Sequence, residues 1–204
     1  MRKMLALVTA LLASANGGAR SNREASVPTA PKLEGEWVSD CTPIGVDGRH
    51  GQIIRLVITR NRIEATGLLY AHNTCDVPTI RSEYSGAIRQ ITEGVGRLEL
   101  DYEVRDATFT ILRDDIVAIY NKSAGCGLAD WQIDKPKSVA GRRCTPIDLP
   151  ARGQMLFESA WVAGAELRLG AFPLLSANSS PEARPVIPGP MAFHRVAPAA
   201  SSPP

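Results

Sequence analysis

Residues 97–105 read Arg-Leu-Glu-Leu-Asp-Tyr-Glu-Val-Arg, with every second residue apolar and every other one charged. Only an extended chain places Leu98, Leu100, Tyr102 and Val104 on one side and the charges on the other, so this stretch is a strand with one wet face. The same grammar recurs along the chain. Gly51 to Thr59 is rich in β-branched residues, and Arg60-Asn61-Arg62 then turns it, with Asn61 suited to positive φ. Ile63 to Ala71 returns as the second arm of a hairpin. Thr79 to Ile91 carries Ile80, Tyr84 and Ile88 in phase, and Gly86 within it marks a bulge or a sharp bend. Strands are also expected at Gly35 to Cys41, Thr108 to Leu112, Ile116 to Tyr120, Gln154 to Glu158, Glu166 to Leu169 and Met191 to Val196, with Arg113-Asp114-Asp115 as a turn. No convincing amphipathic helix is legible. About eight to ten short strands with Gly-rich turns predict an all-β fold, an antiparallel up-and-down barrel or a sandwich.

The cysteines add a second constraint. Cys41, Cys75, Cys126 and Cys144 are an even set, and two disulfides are expected. Three pairings are open. Pairing sequence neighbours gives Cys41–Cys75 and Cys126–Cys144, with the long irregular stretch Asn121 to Pro150 held by the second bridge. The spacings lack the short Cys-x₂₋₄-Cys pairs of a zinc site.

Residues 1–19 carry Arg2 and Lys3, then an apolar run from Met4 to Ala13 followed by small residues. That is the pattern of a secretory signal peptide, cleaved between residues 15 and 19, and the run is too short to span a bilayer. Its Ala-rich end looks bacterial, so the expected location is the periplasm or the medium. Residues 20–32 read as a disordered lead-in, 33–196 as the β-barrel domain and 197–204 as a disordered tail. The chain has 23 basic residues; without Arg2 and Lys3 there are 21 against 21 acidic ones. A near-neutral chain without a basic cluster is a poor partner for nucleic acid, and no membrane anchor is expected.

The stretch Leu33 to Gly86 carries Gly35-x-Trp37-x-Ser39-x-Cys41, then Arg55, Tyr70, Cys75, Pro78 and Tyr84-x-Gly86. In these residues it resembles the lipocalin-like domain of the adenomatosis-polyposis-coli-down-regulated family, as a distant bacterial relative. Arg143-x-Thr145-Pro146-Ile147-Asp148-Leu149 and Phe193-His194-Arg195 are weakly similar to that family's end. Thr42-Pro43-Ile44 departs from the acidic and basic pair common in the animal domain. The chain also holds one domain where the animal proteins hold two, and it has no transmembrane anchor. The resemblance implies a calycin-type barrel whose interior holds a lipid-like group. The Gly-x-Trp is shared with true lipocalins and with small secreted inhibitors of metalloproteases.

Chemistry is sparse. His50, His72 and His194 are far apart, with no metal-binding spacing and no Gly-x-Ser-x-Gly elbow. Asp114-Asp115 sits in an expected turn, and Glu99, Asp101 and Glu103 lie on a solvent face. No catalytic residue, metal or cofactor is expected. Ligand-lining candidates are Trp37, Ile54, Leu56, Ile58, Tyr84, Leu100 and Tyr102, with Leu69, Ile88, Val104 and Ile119 beside them. Arg55 and Arg81 are candidate polar anchors. Trp37 is either a plug at one end of the barrel or an ordinary core residue. The interior is either a ligand pocket or filled by side chains, as small barrels often are. The leading expectation is a small apolar or amphipathic ligand. The alternative is a protein-binding module or enzyme inhibitor acting through long loops such as Asn121–Cys144, around Trp131.

Overall fold

The computed structural model describes residues 33–145, 147–171 and 178–197. The expected signal peptide, the lead-in and the tail from residue 198 lie outside the described residues.

The alternating segments do pair. The strands are β1 (Gly35–Ser39), β2 (Thr42–Ile44), β3 (His50–Ile58), β4 (Arg62–Tyr70), β5 (Pro78–Gly94), β6 (Arg97–Ile111), β7 (Lys137–Ser138), β8 (Arg143–Cys144), β9 (Ile147–Asp148), β10 (Met155–Ala163), β11 (Glu166–Leu169) and β12 (Ala192–Arg195). Ten of them form one antiparallel sheet. β2 and β7 only flank it, on β3 and β6, and the other eight form the ring β1–β3–β4–β5–β6–β10–β11–β12. The ring closes because β1 pairs on one side with β3 (Trp37 opposite Leu56) and on the other with β12 (Trp37 opposite Arg195). Neighbours in the ring are neighbours in the chain, apart from the long excursion between β6 and β10. This is the expected up-and-down barrel, and closure leaves it no free sheet edge.

Two expected strands, 97–105 and 108–112, are one strand, β6. Its register against β5 slips between Ser85 and Gly86, since Ser85 faces Asp106 while Gly86 faces Val104. Arg105 is the extra residue of a bulge. It switches the inward phase from even positions (Leu98, Leu100, Tyr102, Val104) to odd ones (Ala107, Phe109, Ile111), all buried. The bulge falls opposite Gly86, where the sequence places a bend. A Cβ on Gly86 would come within 3.0 Å of the Tyr102 ring and 3.1 Å of Ile63. Glycine there leaves room for the Tyr102 ring.

One expectation fails. Ile116 to Tyr120 is not a strand, and Asp114-Asp115 is not a turn. Both belong to helix α1, Asp114–Ser123. The β-branched Ile-Val run hides a helical pattern, because Ile116, Val117 and Tyr120 pack on the core while Ile119 is exposed. Asp114 and Asp115 in the first turn and Lys122 in the last complement the helix dipole. The Asp115 carboxylate also accepts from the Ile116 N–H and from the Arg113 guanidinium. Ala124, in the left-handed region, ends the helix.

Both disulfides form as the neighbour pairing expects, Cys41–Cys75 and Cys126–Cys144. They belong to an oxidising compartment. Gly51 lies beneath the first, and a Cβ there would come within 2.5 Å of the Cys75 Sγ and 2.8 Å of the His72 carbonyl oxygen. Among the described residues no helix is long and apolar enough to cross a membrane.

Candidate functional site in the barrel interior

Alternation places Ile54, Leu56 and Ile58 of β3, Tyr84 of β5, and Leu100 and Tyr102 of β6 on the inside of the wall, all buried. Ile88 and Val104 join them, and Leu69 lies half-buried at the edge of the core. Trp37 is fully buried near the start of β1. Its indole N–H donates to the Leu33 carbonyl at 3.0 Å, and the Arg195 guanidinium lies 4.0 Å above the ring. The ring is thus held by two contacts in the strand that joins β3 to β12.

Three sequence candidates are not in the interior. Ile119 is on the exposed face of α1. Arg55 points outward and pairs with Glu36, and Arg81 is exposed on the outer face of β5. Strand parity decides this for the two arginines, since each is out of phase with its buried neighbours. Trp131 is not a free loop residue either. It is buried with its edge against Tyr120, its indole N–H donates to the Gly125 carbonyl, and the Lys137 ammonium lies 5.5 Å from its ring centre. It serves the packing of its own loop. His50, His72 and His194 are separated, with the Ala71 carbonyl, Asp76 and Asp40 as their respective partners. Among the described residues no group of His, Cys, Asp or Glu is placed to hold a metal ion.

The polar centre of the interior is one the sequence reading did not name. Glu158 of β10 lies between Leu156 and Ala160 in the inward phase and is fully buried. Its Oε1 accepts from the backbone N–H groups of Ser159 (2.8 Å), Gly170 (3.0 Å) and Ala171 (3.0 Å), and its Oε2 accepts from Ala171 at 3.2 Å. Burial pushes its pKa up to about 7, against the pull of these N–H groups and of Arg184. Gly170 is confined between Glu158 and Pro185, with no room for a side chain.

Tyr84 and Tyr102 share this interior, edge to face with ring centres 6.3 Å apart. Burial drives both phenols upward, and the Glu158 charge adds to the rise in each. Asn178, on the segment that leaves β11, is buried, and its amide comes up to Tyr102. Yet among the described residues neither the Tyr84 hydroxyl nor the Asn178 amide has a well-formed hydrogen bond, and Tyr102 is the polar neighbour that lies beside both. Orphaned buried polar atoms are rare because each costs about 1–3 kcal/mol.

The segment carrying Asn178 is fastened as a strap across β10. Ser159 Oγ donates to the Pro185 carbonyl at 2.7 Å, and Gly189 N–H donates to the Leu169 carbonyl at 2.9 Å. Arg184 donates to the carbonyls of Glu158 (2.8 Å) and Leu100 (3.3 Å), and pairs with Asp101 and Glu99.

Two clefts open elsewhere. One, of about 370 Å³, lies against the outer wall by Glu64, Glu83 and Asp106. The other, of about 310 Å³, lies beside the Cys126–Cys144 bridge and Arg143.

Period-two reading of 155–163 had the signal for Glu158, a lone acid in the apolar phase. Nothing in the Pro/Ser-rich stretch around Asn178 marks that residue. No protein-family model and no curated protein matches this sequence.

Proposed function

We propose that this barrel is an exported carrier, periplasmic or secreted, for a small apolar or amphipathic molecule. The ligand's apolar part lies against the inward side chains of β3, β5 and β6, and its polar end meets Tyr84, Tyr102 and Asn178. The observation that carries the reading is the Tyr84 hydroxyl and the Asn178 amide, buried beside Tyr102 and Glu158 without a well-formed hydrogen bond among the described residues. A fold without a ligand gains nothing by keeping them there. The resemblance of Leu33–Gly86 to the lipocalin-like domain of the adenomatosis-polyposis-coli-down-regulated family supports the same reading. The two disulfides support export.

The test is Asn178→Leu together with Tyr84→Phe. Each removes a buried polar group of nearly constant shape, so each should leave the free protein as stable or about 1 kcal/mol more stable. Each should also weaken saturable binding of an apolar fluorophore, or of a lipid carried through purification in native mass spectrometry, about tenfold. Stabilised variants that retain full binding would overturn the reading.

A further inference from the structure

The interior site is charged on one side only. Its one ionisable acid is Glu158, and its neutral donors and acceptors are the hydroxyls of Tyr84 and Tyr102 and the amide of Asn178. No cation faces them among the described residues. Arg55, Arg62, Arg81, Arg89 and Arg105 are all on the outer face of the wall. Arg97 is half-buried and paired with Glu99. Arg184 comes nearest, but its guanidinium donates to the Glu158 and Leu100 carbonyls and to Asp101, with Glu99 beside it and the Phe157 ring against it. It is consumed in fastening the strap.

We infer that the head group this site takes is uncharged or cationic, an alcohol, amide or amine on an apolar chain, and that carboxylates and phosphates are turned away. The inference rests on the ligand-binding reading above and specifies the chemistry of that same site.

The physical reason is desolvation. An anion brought inside would lose its water, gain no cation and stand near a second negative charge in a low-dielectric interior. An alcohol or amide can fill the open valences of Tyr84 and Asn178 without moving charge. An ammonium gains Glu158 as its counter-ion as well. Glu158 keeps acceptor capacity for it, because three of its four backbone bonds fall on Oε1 and Oε2 accepts only one. At pH 8, above the value of about 7 to which burial raises it, Glu158 is ionised.

The experiment uses three probes with the same twelve-carbon chain, dodecanol, dodecylamine and dodecanoate. Each displaces a bound apolar fluorophore from the full chain at pH 8, below the probes' micelle-forming concentrations. The expected order places dodecylamine and dodecanol at least tenfold tighter than dodecanoate. Glu158→Gln should then narrow the ratio between amine and carboxylate. Dodecanoate binding as well as or better than the other two would overturn the head-group inference and leave the carrier reading standing. Failure of all three probes, and of the fluorophore, to bind would overturn the carrier reading and this inference with it. If the Gln variant does not fold, the ranking on the unaltered protein decides alone.

Discussion

Glu158 shows how much one side chain can set. Its carboxyl is raised from 4.5 to about 7 by burial, so the folded chain holds this proton to a higher pH than the unfolded chain does. The stability linked to that proton is complete below about pH 4.5 and is lost as pH rises towards 7. The shift corresponds to about 3 kcal/mol. Urea unfolding between pH 4.5 and 8 should therefore show the unaltered protein losing about 3 kcal/mol that Glu158→Gln does not lose; parallel profiles for the two proteins would refute it. Gly51 makes a complementary case, because it is set by a contact and not by charge. A methyl group there meets the Cys75 sulfur and the His72 carbonyl. Gly51→Ala should cost about 1–3 kcal/mol, read in the same denaturation assay, and a variant as stable as the original would show that the loop can move aside.

Among the elements, the bulge in β6 and Trp37 in β1 shape the interior. Arg105 shifts the inward phase by one residue, so Tyr102 faces the site while Phe109 and Ile111 still reach the core. A regular strand would put one of these groups outside. Trp37, tied to the Leu33 carbonyl and covered by Arg195, joins the first and last strands where the eight-stranded ring closes. Trp37→Ala should cost about 3–5 kcal/mol, and Trp37→Phe, which keeps a ring but loses the bond to Leu33, about 1–2 kcal/mol. A Trp37→Phe variant as stable as the original would mean that the indole N–H does nothing. Helix α1 is the counter-example. Its Ile-Val-Ala-Ile-Tyr core reads as β by composition, and the packing of Ile116, Val117 and Tyr120 against the core overrides that preference.

For the molecule as a whole, the two bridges staple the ring at two separate places. Cys41–Cys75 ties the chain after β1 to the loop between β4 and β5, and Cys126–Cys144 closes the excursion between β6 and β10. With separations of 34 and 18 residues, each is worth about 3–4 kcal/mol in the chain-entropy account. Reduction should lower the Tm by at least ~10 °C, measured by calorimetry with and without reductant. An unchanged Tm would show that the barrel stands without its bridges.

The sequence by itself determined the class of this fold and most of its strands, and of three open cysteine pairings the structure selects the one between sequence neighbours. The strands follow from local signals: side chains alternate with period two, and glycine marks the bend opposite the bulge at Arg105. Only the tertiary structure decided what the interior offers a ligand. Arg55 and Arg81 looked like anchors until strand parity turned them outward. Glu158 and Asn178 became the polar centre because the segment from Asn178 to Pro190 is fastened across β10 and brings Asn178 to Tyr102, a meeting of residues distant in the chain. Burial, charge and unpartnered atoms are properties of that meeting, and no window of sequence contains them.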